Sequence, residues 1–562
     1  MKIFTLILTF ACTVSVSISQ NKTGLEKIKK FWDFENTKLQ SEGHISWEGF
    51  EDIGSKHGKW KFWDEEGNLQ EVSNYHKGKL HGRVTRYYSN GKTMDDGYFK
   101  YGVQDSIMRS WYENGQLAEE GLVKQDEKNG EWKYFYQSGR PMMVEDHRED
   151  KVYLMQYWKQ DSTQSIIDGN GVYATKHNNG LKKEHFTYTK GERDGKFYEW
   201  NSLGNHITQG NYTKGKRNGN WKFWQNDGAL HKEMTYLNDD LTGKYVQYFY
   251  GEKINIQGEF LKGKKTGKWI WKTTIGTIDM EGHFKDDVQH GDWVFWYPEG
   301  GVNYKGSFDM GKKTGLWEYF YIDGEDWKKG TFVDDKKNGE WTTWFENGQE
   351  LQTGNYVNGV QHGKWMSWFE KGHQKDQGNY KMGQLDGNWK GWYPNGKPNY
   401  DGNWDNGFKF GDWKYWFDNG QLRDQGAYTI LEKKNGSTSI LFKEGSTKIS
   451  AKDGLWISYS EKDGKPTNEI TYKDGERNGL DRHFYPGGEI AVTENSYKNG
   501  KLDGVCKTFA PNGALESQIE YKENLKHGAM IVYKRGTMKV YHAIYKNGQI
   551  DKVIDTKRGS MK

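Results

Sequence analysis

The chain has 562 residues, of which 34% are apolar and 16% aromatic, with 71 glycines against 7 prolines; this balance suits many small elements covered by flat rings and excludes domains with deep aliphatic interiors. So much Trp, Tyr and Phe also excludes a disordered chain. The 81 Lys and Arg are interspersed with 77 acidic residues and form no basic stripe, which argues against a nucleic-acid partner.

Residues 1–19 read as a signal peptide, with Lys2 as the positive start, Ile3 to Ala11 as the apolar stretch, and Ser17 and Ser19 as the small residues ahead of Gln20. The expected location is therefore secreted, periplasmic or at the outer cell envelope. Cys12 offers a lipoprotein reading, which Thr9-Phe10-Ala11 before it matches poorly. No stretch approaches the ~20 apolar residues of a transmembrane helix. Once the leader is removed only Cys506 remains, so no intramolecular disulfide is expected.

Residues 20–57 are expected to form an N-terminal cap. It comprises a short amphipathic helix over 25–36, where Leu25, Ile28, Phe31 and Trp32 stand among charges, and a half repeat over 43–57. A fixed register then begins. Gly58, Gly82, Ser106 and Gly130 open four units over 58–139, and an insertion follows at 140–170. Eleven units at a strict 24-residue step, from Gly171 through Gly219 and Gly363 to Gly411, fill 171–428. A second insertion occupies 429–453, and Gly454, Gly479, Gly504 and Gly528 open the last four units over 454–548. Extra hairpins or loops are expected near 140–168 and 429–450, and a final strand and tail over 549–562.

Most units carry a second glycine at position +9, often in Asn-Gly (Asn90-Gly91, Asn347-Gly348, Asn395-Gly396, Asn419-Gly420), and many a third at +15 with an aromatic at +17, as in Gly354-Asn355-Tyr356. Asn-Gly between aromatic runs signals a hairpin, because both residues accept positive φ. The unit therefore reads strand, turn, strand, turn, its glycines spaced as turns, with no helical period. The fold class expected is all-β: an elongated single-layer antiparallel β-sheet, a solenoid or ribbon of about nineteen 24-residue β-hairpin repeats.

The pattern Gly-x-Tyr/Phe, Gly, Gly-x-Trp at this step resembles the MORN (membrane occupation and recognition nexus) repeat family over roughly residues 43–550. The doubled aromatics Trp365 with Trp368 and Trp413 with Trp416 are similar to its bacterial variant repeat. The resemblance implies one hairpin per repeat in a single-layer sheet and a role in binding. Some variant-repeat proteins are labelled toxin–antitoxin antitoxins; the signal peptide departs from that cytosolic role.

Catalytic, cofactor and metal sites are not expected. His57, His81, His290, His362 and His527 each precede an opening glycine, but Asn129, Asn218, Asn338, Asp194, Asp386, Thr266 and Thr314 stand at the same position. That interchange marks a turn position, chosen for tight backbone geometry. The aromatic rows carry the functional expectation. Alternation along a strand sets the +2 row (Trp221, Trp293, Trp317, Trp341, Trp365, Trp389, Trp413) on one face as structural core. It sets the +5 row (Trp224, Trp296, Trp344, Trp368, Trp392, Trp416) on the other as a candidate ligand platform. Cys506, at a +2 position, is expected to pack on the core face. The function expected is a non-enzymatic protein-interaction scaffold; the alternatives are glycan or cell-wall binding through a Trp ladder, and an antitoxin or immunity-type role. Exposure of the +5 row favours a surface glycan as partner, and cover by a second layer favours the protein scaffold.

Overall fold

The computed structural model describes residues 24–47, 54–434 and 446–556. The expected leader with Cys12, the tail beyond 556 and the middle of the second insertion lie outside them. The chain divides into two units, residues 1–263 and 264–562. Each is all-β, and among the described residues neither contains a helix. Strands run from Gly24–Phe31 to Ile254–Leu261 in the first unit and from Lys264–Lys272 to Gln549–Thr556 in the second. Within each unit, strands pair antiparallel with their neighbours in the chain, because links of a few residues leave successive strands no other partner.

One period shows how the sequence makes the sheet. Lys336–Trp344 runs out, Glu350–Val357 returns, and Val360–Trp368 opens the next repeat. The link between the last two is Asn358-Gly359, with φ of 51° and 88°. Two successive positive φ values give the hairpin turn whose twist suits the flanking strands. Met310 and Met382 hold the same place at φ of 45° and 50°, so sheet pairing overrides even a side chain that disfavours this region.

The other link runs from Phe345 to Gln349, closed by Phe345 N–H to the Gln349 carbonyl (2.8 Å). Here Gly348 has positive φ (79°) and Asn347 does not. Asn-Gly is thus not the two-residue turn its sequence suggests. Asn347 instead donates its amide to the Glu370 carbonyl of the next repeat (3.1 Å) and accepts from the Gln349 N–H (3.0 Å). Asn90 and Asn395 repeat this bond to Glu113 and Asp418. Tyr297, Tyr321 and Tyr393 add hydroxyl bonds to the carbonyls of Phe320, Trp344 and Trp416. On the opposite margin, the Gly359 N–H donates to the Lys337 carbonyl (2.8 Å) and Gly383 to Gln361 (2.9 Å). Successive turns are therefore tied to one another along both margins.

The cap differs from expectation. Residues 25–36 are not a helix: Gly24–Phe31 is a strand, paired with Leu39–Trp47 from Gly24 opposite Trp47 to Lys30 opposite Ser41. A twelve-residue helix is marginal in water, and a sheet margin with unpaired backbone groups gains more from another strand. The first insertion forms strands Lys151–Trp158 and Gln164–Ile167, with Leu154, Tyr157 and Ile166 as a local buried cluster. The second lengthens one hairpin, with Leu422–Lys434 and Ser446–Tyr459 paired out to Lys434 opposite Ser446.

Candidate functional site

The two faces of the sheet have different chemistry. On the first, Trp221, Trp293, Trp317, Trp341, Trp365, Trp389 and Trp413 are buried, 0 to 8% exposed. Each lies across the +15 glycine of the preceding repeat. Gly354 stands opposite Trp365, and a Cβ on it would come within 2.2 Å of the indole; for Gly330 under Trp341 and Gly402 under Trp413 the distances are 2.3 and 2.1 Å. These glycines have extended backbones inside strands, so they supply room for a ring and are not turns. Where the tryptophan is missing, the glycine is usually missing too: Phe186 faces Phe197, Met234 faces Tyr245 and Ile470 faces Asp481.

The opening glycine has its own role. Asn355 pairs with His362 and Gly354 with Trp365, so Gly363 and Lys364 bulge out of register, with Gly363 at φ 72°. The Trp365 indole N–H donates to the Asn355 carbonyl beside that bulge (3.1 Å), as Trp341 does to Thr331 and Trp413 to Asn403 (both 3.0 Å). Trp221 alone of the seven leaves its buried N–H without a partner among the described residues. The +17 rings meet the indoles edge-on, Phe332 on Trp341 at 5.0 Å and Tyr356 on Trp365 at 5.2 Å. Lysines two residues before the opening glycine sit over the indole: Lys313 on Trp317 at 4.2 Å, Lys337 on Trp341 at 4.3 Å and Lys409 on Trp413 at 4.4 Å. Burial holds all three ammonium groups below the usual lysine range.

The second face is polar and charge-balanced. Cross-strand pairs include Lys268–Glu281 (2.9 Å), Lys305–Glu318 (3.0 Å) and Lys390–Asp401 (3.3 Å). The +5 row, Trp224, Trp296, Trp344, Trp368, Trp392 and Trp416, is half-buried. Lys329 covers Trp344 at 4.9 Å, and His206 lies between Trp200 and Trp224 at 5.1 and 5.4 Å. The row is thus neither an open platform nor covered by a second layer; neighbouring side chains cover part of Trp224 and Trp344.

In most repeats the residue before the opening glycine lies in a strand, as His362 does within Val360–Trp368, and not in a turn; His81 falls between Lys79–Leu80 and Gly82–Tyr87. In several repeats the side chain at this position accepts a backbone N–H from the turn nearby: Asn218 from Asn238 (3.2 Å), Thr242 from Lys262 (3.1 Å), His81 from Tyr101 (3.4 Å) and His527 from Asn547 (3.5 Å); His290 lies instead 3.3 Å from Asp309. Asn, Asp, Thr and His interchange because each offers an acceptor at that reach. Asp481 was not singled out by its sequence context. It takes the tryptophan place in the repeat opened by Gly479, is 1% exposed, and lies 2.8 Å from Arg477 and 2.9 Å from His483. The irregular 25-residue step and the missing Trp were its only signals. Cys506, 8% exposed, has its thiol pKa raised by burial and by the nearby Asp481 charge. Among the described residues no cluster of His, Cys, Asp and Glu is placed to hold a metal ion, and no helix is long and apolar enough to cross a membrane.

Six stretches, residues 56–77, 80–101, 104–125, 337–358, 385–406 and 502–523, match the family described as MORN repeat variant. The chain carries MORN repeat variants. Each matched stretch begins two residues before the residue that opens a repeat (Gly58, Gly82, Ser106, Gly339, Gly387 or Gly504) and ends in the two-residue turn, so the family's period coincides with the structural one. No curated protein matches the chain. Among solved structures, a TcdB2–TccC3–Cdc42 complex aligns at 9% identity and a TM-score of 0.12, covering 92% of this chain and 30% of that one. A Photorhabdus luminescens Tc holotoxin pore aligns at 10% identity and the same TM-score, covering 94% and 27%. The chain therefore spans less than a third of either protein, and superposition at this level carries no structural or functional conclusion.

Proposed function

We propose that this MORN-variant protein is an exported, non-enzymatic scaffold that holds a protein partner across consecutive repeats of its ion-pair face. The carrying observation is the half-buried +5 row, where Trp344, Trp368 and Trp392 recur once per repeat on a face with Lys329 over Trp344, the hydrogen-bonded Thr342 and Thr353, and the Lys390–Asp401 pair. Tryptophan ringed by polar groups is the composition of interface anchors. Equivalent contacts repeated along a surface add through multivalency. A recess of about 430 Å³ lined by Lys56, Phe62, Glu71 and Arg86 is shallow and open, and the acceptor role that His81 and His527 share with Asn218 and Thr242 supports a structural role for these histidines. Export rests on the leader-like residues 1–19.

The test changes Trp344, Trp368 and Trp392 together to Ser and measures binding of the partner purified with the native protein. Loss of binding with unchanged thermal unfolding is the expected result. Undiminished binding by the folded variant would refute the reading.

A further inference from the structure

The tryptophan face carries a second feature that the scaffold reading does not use. Over residues 278–357 it presents Lys313, Lys328 and Lys337, and among the described residues none of the three ammonium groups forms an ion pair. Nearby carboxylates are engaged elsewhere: Asp326 with Lys329, Glu318 with Lys305, and Asp335 on the backbone N–H of Lys313. Lys328 lies 4.5 Å from the Tyr319 ring centroid and 3.8 Å from that of Trp327. Trp327 is 37% exposed, the most exposed tryptophan of the stretch. Tyr304 stacks on Tyr319 at 5.6 Å, and burial raises the pKa of both hydroxyls, so at neutral pH they remain hydrogen-bond donors.

We propose that this patch, Lys313, Lys328 and Lys337 with Tyr319 and Trp327, binds a linear acidic polysaccharide. Three features select that ligand. Lys313 and Lys337 hold the same repeat position two strands apart, a spacing of roughly 10 Å that matches one disaccharide of an extended chain. Unpaired cations and phenolic donors call for an oxyanion, and the exposed part of Trp327, whose ring Lys328 overlies, suits contact with a sugar ring beside the charge. A peptide fits poorly. The strands of the stretch are paired on both sides and offer no margin for strand addition. Trp317 and Trp341, 0% and 4% exposed, leave no pocket for apolar anchors.

The probe is a series of oligogalacturonates of increasing length, with methyl-esterified oligomers as the uncharged control, titrated calorimetrically into the full chain. Binding should strengthen with length, weaken with salt, and drop by about tenfold or more both on esterification and in the Lys313→Gln/Lys328→Gln/Lys337→Gln variant. A control, Lys305→Gln/Lys329→Gln on the other face, should bind as the parent does. Absence of binding at every length overturns the proposal, as does equal binding by the triple variant. So does tighter binding of poly-glutamate or of phosphatidylserine vesicles at matched charge. The Trp344/Trp368/Trp392 variant separates this proposal from the scaffold: it should keep the oligogalacturonate and lose the protein partner.

Discussion

The glycine beneath each indole gives the sharpest test of how the repeat is built. In Gly354→Ala the new methyl would sit 2.2 Å from the Trp365 ring, about 1.3 Å short of the ~3.5 Å van der Waals contact. The ring has little freedom to retreat. It is 6% exposed, donates to Asn355, and is held edge-on by Tyr356 at 5.2 Å and Tyr380 at 5.7 Å. Overpacking of this kind costs ~1–3 kcal/mol, and the rigid surroundings place the expectation at the upper end. Without the clash, Gly→Ala in an extended backbone would stabilise by ~0.4–1 kcal/mol through the unfolded chain. The sign of the effect therefore decides the matter. Trp365→Val alone opens a cavity and destabilises, but adding Gly354→Ala to it should be neutral or favourable, a coupling of ~1 kcal/mol or more. Because repeat arrays need not unfold in one step, the assay is hydrogen exchange of the amides in 350–368 together with urea unfolding. A stabilised Gly354→Ala single variant, or additive effects in the double, would refute the reasoning.

Two further outcomes follow from the same geometry. Lys56, Lys313, Lys328, Lys337, Lys409 and Lys452 are held below the usual lysine range by burial, so the folded chain binds fewer protons than the unfolded one. Stability should then rise with pH through the folded lysine values toward ~10.4. Tyr173, Tyr248 and Tyr319, pushed up to about 12, act in the opposite sense: their stabilisation is lost above the unfolded tyrosine value of ~10. Urea midpoints should peak near pH ~10, and a steady fall from pH 8 upward would contradict this. Cys506→Val should leave folding intact, and the native thiol should react with an alkylating probe far more slowly than a free thiol does; an equal rate would show that Cys506 is not packed.

The sequence by itself determined the period, the all-β class and the side of the sheet on which each aromatic row lies. A 24-residue recurrence of Gly, Trp and Asn-Gly constrains local pairing, and alternation along a strand needs nothing from the rest of the chain. What only the tertiary structure decided are the reasons for individual residues, because those reasons lie on neighbouring strands. Gly354 and Gly348 are alike in sequence; one makes room for Trp365 and the other takes φ of 79° in a turn. Asn347 reads as a turn residue until the Glu370 carbonyl comes within reach. The amphipathic pattern of 25–36 suits a helix, and the unpaired margin of Leu39–Trp47 makes it a strand. Lys313, Lys328 and Lys337 are unremarkable in a chain with 81 basic residues, since opposite charge is never far away along the sequence. Strand pairing engages Glu318 and Asp326 with lysines of the other face and leaves the three lysines among rings, because adjacent residues of a strand point to opposite sides.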